Sequence, residues 1–111
     1  MNYVKPDAVL CPANMVSNVT VLFDGGDKGF SIADVVWDGN HVLAMRYNSS
    51  HSEQQDSDKI SGKKICKGFP FSSANSVWFI LPPEIFDSTT EPGKAIQEYL
   101  KAYKLKSDIW R

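Results

Sequence analysis

The sequence has little of what marks a secreted, membrane-bound or nucleic-acid-binding protein. It contains two cysteines, Cys11 and Cys66, which lie far apart and form no CxxC pair. Its formal net charge is -1, so neither sign is in excess to attract nucleic acid or an anionic membrane. No apolar run approaches the ~20 residues of a membrane span, and residues 1–10 lack the basic and apolar parts of a signal peptide. We therefore expect a cytoplasmic protein with two free thiols, with one long-range disulfide as the alternative.

Catalytic and metal-binding motifs are also missing. The chain has no GxSxG, no HExxH and no phosphate-binding glycine loop. A calcium loop beginning at Asp24 would place Gly26 and Lys28 where oxygen ligands belong. His41 and His51 do not have the spacing of two zinc ligands on one helix, and no local pattern supplies further ligands. We therefore expect no metal and no cofactor, and the sequence favours a non-enzymatic protein.

What is present is the alternation of a β-sheet. The chain has 111 residues, of which 42% are apolar, so we assign residues 1–111 to a single domain. Prolines predict an irregular segment over residues 1–17. The polar stretch over residues 48–62 predicts a mobile loop. Runs of β-branched and aromatic residues predict strands at 19–23, 30–37, 41–47 and 76–81, with a further short strand possible at 63–67.

One helix is expected near the C-terminus. Ile96, Tyr99, Leu100 and Tyr103 recur at helical spacing and predict a helix over residues 91–105. The spacing from Ser88 to Glu91 is that of a capping box, and residues 83–86 suit one helical turn. The predicted fold class is α+β: an antiparallel sheet of four to five strands with one C-terminal helix packed on a face.

The dipeptide Asp38-Gly39 fixes the register of the central hairpin, because it is the strongest two-residue turn signal. Trp37 then faces Asn40, and Ser31 faces Arg46. One face of the hairpin carries the larger apolar residues, and we expect the helix to cover it: Phe30, Ile32, Leu43, Met45 and Tyr47. The opposite face carries smaller apolar residues with a Trp and an Arg: Ser31, Ala33, Val35, Trp37, Val42, Ala44 and Arg46.

This second face is too apolar to be left in water. Three covers are possible: the N-terminal segment, a second copy of the protein, or a partner or ligand. The first functional hypothesis is therefore an interaction domain, a homodimer or partner-binding protein. Its expected interface residues are Val35, Trp37, Val42, Arg46 and Trp78.

A small-ligand or catalytic pocket around Asp34 and Arg46 is the second hypothesis. Asp34 lies among apolar residues, where a carboxylate is costly to bury and can become an acid or base. Arg46, stacked on Trp37, could recognise a carboxylate or a phosphate. The alternatives are a carboxylate at the sheet margin and a solvated arginine.

Single-stranded nucleic-acid binding through Lys63, Lys64 and Trp78 is a third and less favoured hypothesis. Lysines could meet phosphates while the aromatic ring stacks on a base. The alternative is an edge strand that its lysines protect against aggregation.

Several short motifs lie between residues 19 and 82: Val21–Asp24, Phe30–Ala33, Leu43–Asn48 and Val77–Pro82. In these motifs the chain resembles small bacterial proteins of mobile, integron-type gene cassettes. Ala44 and Tyr47 depart from the Gly and Trp expected there, and the 48–62 loop is long. The resemblance implies one compact domain and draws attention to Arg46 and Trp78, but it implies no reaction.

Overall fold

The computed structural model of the chain describes residues 1–104. It divides into two compact units, the first from Met1 to Leu81 and the second beginning at Pro82. The assignment of residues 1–111 to one domain therefore stays a prediction.

The first unit is built on a four-stranded antiparallel sheet in the order β1-β2-β3-β6. Two very short strands form a second sheet beside it, and single turns of 3-10 helix lie at Pro6–Ala8 and Glu53–Gln55. In chain order the elements are β1 (Val16–Asp24), β2 (Phe30–Trp37), β3 (Asn40–Tyr47), α1 (Ser57–Ile60), β4 (Phe71–Ser72), β5 (Asn75–Ser76) and β6 (Phe79–Leu81).

The β2–β3 hairpin has the register that the sequence predicts. Its pairs run from Phe30 opposite Tyr47 to Trp37 opposite Asn40. Asp38 and Gly39 have φ values of 50° and 80°, which is the left-handed conformation that a two-residue hairpin turn requires. The turn therefore fixes which residues of β2 and β3 lie opposite one another, and the alternation of side chains then assigns each residue to one face of the sheet.

The inner face of the sheet, which carries Ala33, Val35 and Ala44, is completely buried at these three residues. The chain's own N-terminal segment lies over it, with Val9 in the same core cluster and Val4 packed against that cluster. Single bridges join Tyr3 to Cys66 and Cys11 to Val77. Of the three possible covers, the structure shows the N-terminal segment, together with the segment that contains Trp78.

The opposite face, which we call the aromatic face, carries rings that remain about half exposed. The exposed fractions are 56% for Phe79, 50% for Tyr47, 47% for Phe23 and 40% for Phe30. The expectation that the C-terminal helix covers this face concerns two separately described units and stays a prediction.

The prediction of a mobile loop without secondary structure over residues 48–62 is wrong. The segment contains the 3-10 turn Glu53–Gln55 and helix α1, and Asn48 and Ser49 are buried. The strand predicted over residues 76–81 is also divided, since its first residue belongs to the small sheet and its last three to the large one. Lys63–Lys67 forms no strand beyond the single bridge of Cys66.

The second unit holds a 3-10 turn at Pro83–Phe86 and helix α2 at Glu91–Lys104. This agrees with the predicted helix, whose last position, residue 105, lies outside the described residues. The cap is not the predicted one: the Gly93 amide donates to the hydroxyl of Thr90 at 3.0 Å, so Thr90 caps the helix. The α+β fold class is confirmed.

Candidate functional site

The residues predicted to form a partner interface belong instead to the interior of the first unit. Val35, Arg46 and Trp78 are 0%, 1% and 5% exposed. Trp37 and Val42 are half-buried and pack against the same core cluster. The N-terminal segment and the 66–78 segment therefore lie where the interface prediction expects a partner, and Val35, Arg46 and Trp78 present no free surface to one.

Arg46 is the buried anchor of that arrangement. Its guanidinium donates hydrogen bonds to the backbone carbonyls of Lys67, Pro70 (3.2 Å) and Val77. Burial lowers the pKa of Arg46 to about 10, against the opposing effect of Glu53, so the side chain stays charged at neutral pH. Its Nε has no hydrogen-bond partner among residues 1–104. The side chain fastens the 67–77 segment to the inner face of the sheet.

Asp34 and Arg46 cannot share a pocket. Asp34 lies opposite Leu43 on the aromatic face, whereas Arg46 lies opposite Ser31 on the inner face. The Asp34 carboxylate, 39% exposed, lies 3.0 Å from Nδ1 of His41, which is 75% exposed. Asp34 lies within the central strand β2, between Thr20 and Leu43, so it is not the strand-end carboxylate that was the alternative for this residue, and it lines no common pocket with Arg46.

The expected stacking of Arg46 on Trp37 is wrong as well. Arg46 pairs with Ser31, and Trp37 pairs with Asn40 at the other end of the hairpin. Six residues of extended strand separate Ser31 from Trp37, which is about 20 Å. An arginine side chain cannot span that distance.

Sequence reasoning missed Glu53, whose carboxylate is bound mainly by backbone amides. It accepts hydrogen bonds from the amides of Ser50 (2.9 Å), Lys67 (2.8 Å) and Gly68 (3.0 Å), and Lys59 Nζ lies 3.4 Å away. Burial raises the pKa of Glu53, but these hydrogen bonds outweigh it, and the net pKa lies below its ordinary value. A signal was available, because Ser50-x-x-Glu53 has the spacing of a capping box and its Ser hydroxyl accepts the Glu53 amide at 3.3 Å.

Gly68 explains how Arg46 and Glu53 reach the same stretch of backbone. Its φ of +74° suits glycine, and a Cβ there would collide with the Tyr47 carbonyl and with the Arg46 guanidinium. Glu53 binds the amide side of this stretch and Arg46 the carbonyl side. The carboxylate of Glu53 and the guanidinium of Arg46 therefore hold the backbone at residues 67–68 in place through its amides and its carbonyls, respectively.

A second polar cluster lies at the end of β1, around Asp24. The Asn48 amide donates to Asp24 at 3.1 Å and to the Gly26 carbonyl at 2.7 Å, and the Ser31 hydroxyl donates to Asn48 at 2.8 Å. Tyr3 also donates to the carboxylate, at 2.9 Å. Burial raises the pKa of Asp24, but its hydrogen bonds and the charge of Lys5 lower the pKa by more than burial raises it. The net pKa of Asp24 therefore lies below its ordinary value. These partners satisfy one another, so the cluster has a structural role.

The residues proposed for nucleic-acid stacking are not available for it. The Trp78 indole is buried and donates from Nε1 to the carbonyl of Val9 at 2.8 Å. Lys64 lies 3.6 Å from Asp58 and Lys63 is exposed. Without an exposed ring at position 78, the combination of base stacking and phosphate contact is lost.

Both cysteines are free thiols, with Cys66 buried and Cys11 half-buried, and burial raises the pKa of Cys66. Within residues 1–104, no cluster of three His, Cys, Asp or Glu side chains could hold a metal ion. In the same range no helix is long and apolar enough to cross a membrane. No protein-family model, curated protein or solved structure matched this chain.

Proposed function

We propose that the protein is a small non-enzymatic interaction domain that pairs with a second copy of itself through the aromatic face. The observation that carries this proposal is the half-exposed state of four rings on one side of the sheet, at Phe23, Phe30, Tyr47 and Phe79. Single exposed apolar residues are ordinary, but a contiguous group of this kind is typical of an interaction surface.

The group is contiguous because one row of side chains crosses all four strands. Phe23 pairs with Ile32, Ile32 with Met45, and Met45 with Phe79. Phe23 and Phe30 also touch, with ring centroids 5.3 Å apart. Two such faces can pack about 10 Å apart with their strands nearly aligned, as in a β-sandwich.

Charge supports a second copy over a charged partner. In the four strands, the one carboxylate of the aromatic face is Asp34, which lies 3.0 Å from Nδ1 of His41, and no Lys or Arg lies on this face. A twofold contact brings each surface against itself, so an unbalanced charge would be repelled. A face with so little net charge avoids that cost.

The size of the face predicts a weak dimer. Four strands and three rows of side chains cover on the order of 400 Å² per copy, which is about half of a standard interface. We therefore expect a reversible dimer with a dissociation constant in roughly the micromolar range.

Light scattering with size-exclusion chromatography tests the proposal on the full chain. Phe79→Glu places a charge in the central row of the face and should yield monomer where the wild type yields dimer. Phe71→Glu is the matched control, because Phe71 is 54% exposed and lies on β4, outside the face. A wild type that remains monomeric at high concentration, or equal effects of the two substitutions, would contradict the proposal.

We also propose a cytoplasmic location and kinship with the cassette proteins. The support for the first is the pair of free thiols, which a reducing compartment would preserve. The support for the second is the set of strand motifs at β1, β2, β3 and β6. A monomeric wild type would contradict the dimer and would instead agree with the expectation that the C-terminal helix covers the aromatic face.

A further inference from the structure

A cleft of about 480 Å³ lies beside the end of β3, on the far side of Tyr47 and Phe69 from the apolar part of the aromatic face. This volume is within the range of small-molecule sites. The cleft combines two aromatic side chains with polar and cationic ones. Its walls are Lys28, Tyr47, Ser49, Ser50, His51, Gln54 and Phe69.

The aromatic wall is fixed by backbone pairing. The Tyr47 amide donates to the Phe69 carbonyl at 2.7 Å, and the Phe69 amide donates to the Tyr47 carbonyl at 2.9 Å. The two side chains are 50% and 52% exposed. They therefore present ring surface to a ligand while their backbones stay in place.

The polar wall is fixed as well. The Ser49 hydroxyl donates to the Asp27 carbonyl at 2.6 Å and accepts from the Gln54 amide at 3.0 Å. These bonds tie the 49–54 segment to the loop that carries Lys28. The site is thus held in position before a ligand arrives, which reduces the entropy cost of binding.

The charge of the cleft is one-sided. Among the described residues that line it there is no Asp or Glu, whereas Lys28 is a cation and His51 becomes one on protonation. The neighbouring cleft of about 280 Å³ differs, because Glu53, Asp56, Lys59 and Lys67 balance one another there. An anionic group is the charge that the larger cleft would accept.

We propose that this cleft binds a small aromatic acid, a flat ring that carries one carboxylate or phosphate. The ring lies against Tyr47 and Phe69, and the acid group reaches the ammonium of Lys28, with His51 as a second donor. The side-chain amide of Gln54 supplies a neutral hydrogen bond at the same wall.

Calorimetric titration with four probes tests the charge requirement. Indole-3-acetate and its amide have the same ring and differ in charge, and AMP and adenosine form the corresponding pair for a phosphate. We expect at least one acid to bind about fivefold more tightly than its neutral partner, the gain of one partly exposed ion pair. The pair that shows this ratio identifies the carboxylate or the phosphate as the ligand group. Equal affinity within both pairs, or no binding of any probe, would overturn the proposal.

Three variants locate the binding. Lys28→Gln should remove the preference for the acid, and Phe69→Ala should weaken acid and neutral probes alike by about tenfold, as expected for a lost stacking partner. Lys63→Gln is the matched control, since this exposed lysine lies outside the cleft, and it should leave the ratio unchanged. A preference for the acid that survives Lys28→Gln would contradict the assignment.

Discussion

Replacement of Arg46 by methionine should destabilise the first unit severely, although no ligand is involved. Methionine fills much of the volume of the arginine stem but cannot donate a hydrogen bond. The carbonyls of Lys67, Pro70 and Val77 would lose the guanidinium that now binds them. If Arg46 instead served a ligand, its removal would leave stability nearly intact.

The magnitude follows from the bonds that remain. Each hydrogen bond from a charged donor is worth about 1.5–3 kcal/mol when its loss leaves a buried partner. The Lys67 carbonyl keeps the hydroxyl of Ser76 (2.7 Å), and the Pro70 carbonyl keeps the amide of Val77 (3.2 Å), so two of the three losses are partial. Removal of a charge that is costly to bury offsets a further small part of the lost stability. We expect a loss of about 2–4 kcal/mol from a total that is typically about 5–15.

Urea unfolding followed by tryptophan fluorescence measures this loss. At a slope of about 1.5 kcal/mol per molar urea, the midpoint should fall by roughly 1.3–2.7 M. Lys63→Met is the control for the loss of a positive charge, because Lys63 is exposed, and it should change stability by less than about 0.5 kcal/mol. An Arg46→Met protein as stable as this control would refute the anchoring role.

Three further substitutions test the same region. Gly68→Ala should cost more than about 2 kcal/mol in thermal unfolding, because its φ is +74° and the added methyl collides with Arg46. Glu53→Gln should cost about 2 kcal/mol at neutral pH. Burial raises the pKa of Glu53, but its hydrogen bonds lower the pKa by more, so the folded-state pKa lies below the ordinary value of 4.5. Wild-type stability should therefore fall as the pH drops below 4.5. The fall should be smaller in Glu53→Gln, in a pH series of urea midpoints. Trp78→Phe removes the bond to the N-terminal segment and should accelerate hydrogen exchange of the Val4 amide, which bonds the Cys66 carbonyl at 3.1 Å, while unchanged exchange would count against that bond.

The central hairpin could be predicted because its determinants are local. Asp38 and Gly39 select the turn, and the period of two then assigns every side chain to a face. The same register places Asp34 and Arg46 on opposite faces, so the hypothesis of a shared pocket conflicted with the pairing from which it started. Consistent use of the register would have excluded it from the sequence alone.

The sequence limits the cover of the inner face to three possibilities, but it does not show which of the three is present. The deciding contact joins the Trp78 indole to the Val9 carbonyl, across a separation of 69 residues. No local pattern encodes a partner at that distance. The three carbonyls bound by Arg46 are also non-local, at 21 to 31 residues from it, so the sequence does not distinguish a buried arginine from an exposed one.

The prediction of an unstructured loop over residues 48–62 is wrong for a different reason. Its composition is that of a disordered stretch, but composition describes the absence of a core and not the hydrogen bonds of single residues. The capping-box spacing of Ser50 and Glu53 was readable and predicts a helical turn. The amides of Lys67 and Gly68 that complete the Glu53 site were not readable, because they follow 14 and 15 residues later.

Sedimentation equilibrium of the full chain over a range of concentrations tests most directly the claim that the aromatic face is the working surface. The account predicts a reversible monomer–dimer equilibrium for the wild type and for Phe71→Glu, with Phe79→Glu monomeric throughout. A wild type that stays at the mass of a single chain at every concentration would contradict it.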